Sequence, residues 1–174
     1  MILASVSMPG KGRTDACLMQ AVALMQRAGL RLAGTVQSNP ARAGRPNCEM
    51  DVHVLPEGPV LRISEDRGAQ ARGCRLDAGA LEEAVAASLA RLDGAELLVV
   101  NKFGKQEAEG RGFVPVIAEA LARDLPVLVG INPLNHGAFH AFADGLAQDL
   151  EAVPETIAAW AVAQCHARVA PAGV

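Results

Sequence analysis

Leu97-Leu-Val-Val100 is a run of apolar residues with polar, glycine-bearing sequence directly behind it. A strand with one wet face alternates polar and apolar residues. A run without alternation belongs to a strand covered on both faces, as in a parallel sheet between two helical layers. Just beyond it lie Asn101, Lys102, Lys105, Gln106, Glu107, Glu109 and Arg111, with Gly104, Gly110 and Gly112 among them. In open α/β sheets, ligands occupy the crevice beyond the carboxyl ends of the strands, so a site is expected in this loop.

The rest of the chain supplies the layers. Ile2 to Ser7 reads as a strand and Pro9-Gly10-Lys11-Gly12 as a turn. A helix follows, with Leu18, Val22 and Met25, and beside them Cys17 and Ala21, at helical spacing; Thr14 or Asp15 is placed to cap its start and Gly29 to end it. Leu30 to Val36 predicts a strand, and Gln37 to Asn47 an exposed loop. Met50 to Leu55 and Val60 to Ile63 predict a hairpin around Pro56-Glu57-Gly58-Pro59. Ser64 to Arg75 is polar and without period. Asp77 caps a helix reaching Leu92, with Leu81, Val85, Leu89 and Leu92 facing inward. Beyond the central strand come a helix over 114–123, a strand over 126–131, and helices over 138–150 and 154–168. The expectation is one α/β domain over residues 1–174. Its sheet is mostly parallel with helices on both faces, and the inserted hairpin adds an antiparallel edge.

Composition narrows the function. The chain has 174 residues, 51% of them hydrophobic, which suits a single core built from aliphatics. A net charge of −3 argues against a nucleic-acid partner, which calls for a basic face. No apolar run approaches the roughly 20 residues of a spanning helix. The start, Met1-Ile-Leu-Ala-Ser-Val-Ser-Met-Pro9, lacks the basic region of a signal peptide, so a cytoplasmic location is expected. Cys17, Cys48, Cys74 and Cys165 show no C-x-x-C pair, and packing is the expected role; Cys48 and Cys74 flank the hairpin. Arg72 and Arg75 beside Cys74 would favour its thiolate.

The turn after the first strand can be set against G-x-x-x-x-G-K-[ST], the loop that surrounds phosphate with backbone amides, a Lys and a hydroxyl. Ser7-Met-Pro-Gly-Lys-Gly-Arg-Thr14 matches it at Gly12 and Thr14, with Ser7 for the first Gly and Arg13 for the Lys. Arg13 keeps the charge in a planar fork of different geometry, and Lys11 offers a second cation. Two readings stand: an anion-binding turn, or an ordinary βα turn with basic side chains in solvent. The acidic residue that ends the second strand of such sites and holds magnesium is replaced by Asn101-Lys102. Glu107 and Glu109 offer carboxylates downstream, or merely balance Lys105 and Arg111.

Cys48-Glu-Met-Asp51, Gly73-Cys-Arg-Leu-Asp77 and Asn101-Lys-Phe-Gly-Lys-Gln-Glu-Ala-Glu-Gly-Arg-Gly112 resemble the bacterial family catalogued as domain of unknown function 2478, over nearly the whole chain. That family in turn resembles the small nucleoside-triphosphatases first described in thermophiles, which carry a complete P-loop and an Asp-Glu-x-Gly-Lys-x-Glu block. Gly104, Lys105 and Glu107 match the block; Asn101 and Lys102 replace its acidic pair. The resemblance implies a P-loop-type fold, a nucleotide such as ATP or GTP as ligand, and a role for Glu107 rather than Glu109. Family members are also associated with molybdenum-transport genes, which implies a connection with molybdate.

His136, His140 and Asp144 are spaced to share one helical face, but without the general-base Glu of a metalloprotease, and an ordinary helix surface is expected there. No metal site is assigned, and magnesium is not expected. The leading expectation is a degenerate P-loop protein that binds a small anion, either a nucleotide or a phosphate- or molybdate-type oxyanion. Gly10, Lys11, Gly12, Arg13 and Thr14 would hold it, with Asn101, Lys102 and Arg111 facing them. Lys105 would neutralise charge, and Glu107 would orient water if hydrolysis persists. The alternatives are a weak or rearranged triphosphatase, and a non-catalytic accessory protein that works through a protein partner or a second copy of itself.

Overall fold

The computed structural model describes residues 1–41, 43, 48–65 and 76–169. Its strands are β1 (Leu3–Val6), β2 (Leu32–Ser38), β3 (Asp51–Val54), β4 (Val60–Arg62), β5 (Leu97–Phe103), β6 (Val127–Ile131) and β7 (Ala147–Asp149). Its helices are α1 (Arg13–Arg27), α2 (Ala78–Leu89), α3 (Lys105–Ala108), α4 (Val114–Ala122), α5 (His136–Ala143) and α6 (Pro154–Val169). The strands form one sheet in the order β4-β3-β2-β5-β6-β1-β7. From β2 to β7 the neighbours run parallel, whereas β3 and β4 are the antiparallel hairpin at one edge.

The apolar run at 97–100 behaves as its composition requires. Leu97 and Val99 join the cluster under α1 and α6, with Leu18, Val22, Met25, Ile157 and Ala161. Leu98 and Val100 face the other way, into a cluster with Leu81, Val85, Val116, Ile117 and Phe139 from α2, α4 and α5. Because β1 and β2 are separated by β5 and β6, the connection through α1 passes over the sheet and sets its N-terminus above the strand ends. Gly130 makes room for this. A Cβ there would lie 2.5 Å from Leu18 Cδ1, 3.2 Å from Asn101 Oδ1 and 3.4 Å from Thr14 Cγ2, so only a bare backbone lets α1 seat so low.

Several sequence expectations need correction. Neither Thr14 nor Asp15 caps α1: the N-cap is Gly12, at φ 73°, with no side-chain cap, and both residues are buried inside the helix. Gly29 does end the helix, with its N–H bonded to Gln26 O and that of Leu30 to Met25 O. β2 runs on through Gln37 and Ser38, and Gln37 is buried, not part of an exposed loop. Asn101 and Lys102 extend β5 and do not open a loop. Asp77 caps α2 as expected, accepting from Ala80 N–H at 3.0 Å, but Leu89 is 43% exposed, and Ala84 and Ser88 fill the inner face. The segment 138–150 is not one helix. α5 stops at Ala143, and Ala147–Asp149 pairs with β1 as an edge strand. Cys74, Arg72, Arg75 and most of the polar segment 64–75 lie outside the described residues.

Candidate functional site

A helix start leaves its first N–H groups without intrahelical partners, and a glycine N-cap offers no side chain to take them. At α1 this start opens onto a cavity of about 340 Å³ lined by Gly10, Lys11, Gly12, Thr14, Asp15, Lys102 and Ile131–Leu134. Lys102 reaches it from the end of β5, two strands from β1, so the sheet order brings this strand end to the turn that follows β1. Thr14 Oγ1 accepts from Met8 N–H at 3.0 Å and holds the turn against the helix. Ser7, in place of the first P-loop glycine, donates to Ile131 O at 3.2 Å and ties β1's end to β6.

The floor of the cavity is a carboxylate that sequence reasoning treated only as a helix cap. The Asp15 side chain is 3% exposed, and Lys102 Nζ lies 3.4 Å from its Oδ2. Asn39 Nδ2 donates to the same oxygen at 2.7 Å, and Gln37 Nε2 at 3.5 Å. With the Asn101 amide oriented by its neighbours, its nitrogen donates to Asp15 Oδ1 at 2.9 Å while its oxygen accepts from Gln37 N–H at 3.1 Å. A buried carboxylate requires such partners. The acid comes from α1, and the amide and cation come from β5. The signal in the sequence was a polar residue at a position the helical period places inward, directly after Thr14.

The remaining residues of the second loop do not join this cavity. Glu107 is 5% exposed, and its two oxygens accept from Gly104 N–H at 2.9 Å and Phe113 N–H at 3.0 Å, so it clamps the loop around α3. Lys105 and Glu107 line a separate cavity of about 70 Å³ with Gln37, Asn101, Lys102 and Phe113. Lys105 is exposed and pairs with Glu109 at 3.8 Å, which Arg111 also contacts. Arg111 further donates to Gln106 Oε1 at 3.0 Å. Arg13 is exposed and lies back over its own turn, where a Cβ on Gly10 would sit 2.8 Å from its Cδ. Among the described residues the cavity's cations are Lys11 and Lys102, and neither Arg13 nor Arg111 lines it. A second cavity of about 360 Å³ adjoins at Lys11 and Gly12, lined also by Ala16, Met19, Gln37, Ser38, Asn39 and Cys48.

Among the described residues no helix is long and apolar enough to cross a membrane. The fold matches two solved structures of small nucleoside-triphosphatases. A human cancer-related nucleoside triphosphatase aligns over all of both chains with a TM-score of 0.56 and 18% identity. THEP1 from the hyperthermophile Aquifex aeolicus aligns over 89% of this chain and 91% of its own, with a TM-score of 0.59 and 16% identity. The architecture is thus that of P-loop nucleoside-triphosphatases. In sequence, 135 residues are 36% identical to the molybdenum import ATP-binding protein ModC 2 of Bradyrhizobium diazoefficiens. That match covers 77% of this chain but only 15% of the length of the curated relative. Residues 3–160 match the family described as a protein of unknown function, DUF2478, and the chain belongs to that family.

Proposed function

We propose that this chain binds a small phosphate-like oxyanion, either free or as part of a nucleotide, in the cavity at the start of α1. The observation that carries the reading is the uncapped helix N-terminus opening onto a cavity that also holds Lys11 and Lys102. Backbone amides, the positive end of a helix dipole and two ammonium groups favour a negatively charged guest. In this reading the amides at Gly12 and Thr14 and the ammonium of Lys11 hold the anion, and Lys102 is shared between the guest and Asp15. Asn101 acts indirectly, by holding Asp15. The adjoining cavity beside Met19 and Cys48 gives a nucleoside room next to the phosphate end. A divalent cation has a weaker case: Asp15 is already bonded to Asn39 and Asn101, and Lys102 occupies the neighbouring space.

The ATP-binding title of the curated relative and the triphosphatase title of the human structural neighbour support a nucleotide. The relative's molybdenum title makes molybdate the oxyanion to compare with phosphate. Titration calorimetry with ATP, GTP, phosphate and molybdate is the test. Heat of binding is expected with at least one, and it should disappear in Lys11→Ala and Lys102→Met chains that remain folded. No heat at millimolar ligand overturns the reading. Hydrolysis is best read as magnesium-dependent phosphate release by the unaltered chain, because Glu107→Gln would loosen the α3 loop as well as remove a candidate base.

A second reading, an accessory protein acting from the cytoplasm through a partner or a second copy, is favoured by Leu134, which is 91% exposed on the cavity rim. It predicts that Lys102→Met leaves such an interaction intact while Leu134→Asp weakens it.

A further inference from the structure

At the far edge of the sheet, His136 and His140 project from the same face of α5, and the rings stand 4.3 Å apart between centroids. Their Nε2 atoms are 3.3 Å apart. Asp149 on β7 completes the group, with its Oδ2 lying 3.7 Å from His140 Nε2. One ligand atom from each residue falls within 4.8 Å of the others. The expected third member, Asp144, is instead the C-cap of α5, in a left-handed conformation.

We propose that His136, His140 and Asp149 form a three-ligand site for a divalent transition metal of the zinc type, with the fourth position open to solvent. Two nitrogens bound to one tetrahedral zinc at 2.0–2.1 Å lie about 3.3 Å apart, which matches the imidazole pair. The donor set of two imidazoles and a carboxylate suits zinc and its neighbours and not magnesium or calcium. The carboxylate is also held in place: Asp149 Oδ1 accepts from the buried Ser5 hydroxyl, leaving Oδ2 turned toward the histidines. Such an outer contact is what orients a metal-binding carboxylate. The backbone fixes the same register, since Ser5 pairs with Asp149 and Leu150 N–H donates to Ser5 O at 2.9 Å. The site draws on α5 and the edge strand and shares no residue with the cavity at α1, so it stands independently of the oxyanion reading.

The rival account is a plain N–H···N bond between two neutral imidazoles. Titration of the metal-stripped full chain with Zn²⁺ separates the two. One equivalent should bind, and His140→Ala and His140→Gln chains, checked for fold by circular dichroism, should lose it. Asp149→Asn and Ser5→Ala should weaken binding about tenfold or more. The Co²⁺ form should show tetrahedral d–d bands without thiolate charge transfer. No binding at millimolar Zn²⁺, binding unchanged in a folded His140 variant, or a thiolate band placing the metal on the cysteines would each overturn the proposal.

Discussion

Lys102 and Asp15 can be tested as a unit, because the structure sets the lysine ammonium against a buried carboxylate. At 3.4 Å the Coulomb attraction is about 5 kcal/mol for an effective dielectric of 20 and about 1 kcal/mol in bulk water. The Lys102 side chain is 29% exposed and that of Asp15 3%, so the environment lies between those limits. After discounting for solvent screening and the entropy of holding a lysine, Lys102→Met should destabilise by about 1–3 kcal/mol. It removes the ammonium from an almost wholly buried carboxylate and leaves it only the Asn39, Asn101 and Gln37 amides among the described residues. Asp15→Asn removes that charge while keeping the volume, and Lys102 can turn toward solvent. In the double variant neither charge remains to be stranded, so its destabilisation should fall short of the sum of the single effects by at least about 1 kcal/mol. Urea unfolding followed by circular dichroism reads this as midpoint shifts at constant slope. If the two substitutions add within about 0.5 kcal/mol, the pair is not coupled and the account of the cavity floor is wrong.

Three further outcomes follow from the packing. Gly112→Ala should cost about 1–3 kcal/mol, because Gly112 sits at φ 57° and a Cβ there would lie 2.1 Å from Glu107 Oε1; a urea midpoint unchanged from wild type refutes the clamp. Leu18→Ala should cost about 2–5 kcal/mol, and Leu89→Ala within about 0.5 kcal/mol of nothing, since Leu18 is fully buried and Leu89 is 43% exposed. Burial pushes up both the Cys17 thiol, with Glu155 adding to it, and the Cys165 thiol, with Glu96 adding. The folded chain therefore keeps protons that the unfolded chain releases. That stability is complete below the ordinary thiol value of 9.0 and is lost as pH rises through the folded values. Alkylation at Cys17 and Cys165 should stay slow until unfolding, and fast labelling of the native chain at neutral pH would contradict it.

Local pattern accounts for most of the architecture. The unbroken apolar run at 97–100, the periodic faces of α1 and α2, the Asp77 cap, the Gly29 stop and the Pro-Gly turn of the hairpin each act within a few residues, and each is present in the fold. Local pattern failed where distant partners decide. Gln37 looks like loop composition, yet it is drawn into β2 because Asp15 and Asn101 offer its polar groups partners inside. Residues 147–149 extend a helical composition, yet they pair with β1 because that edge would otherwise present unpaired backbone groups.

Amino-acid order alone determined that this chain makes a helix-covered parallel sheet with polar turns at the strand ends, because those signals are short-range periodicities and turn residues. Which charged groups share a cavity was decided only by the tertiary structure. Strand order carries β5 to within two places of β1 and sets Lys102 against Asp15, while the same loop turns Glu107 inward onto its own amides. Burial then demands donors for the carboxylates it takes in: Asp15 finds them in Asn39, Asn101 and Lys102, and Glu107 in the amides of Gly104 and Phe113.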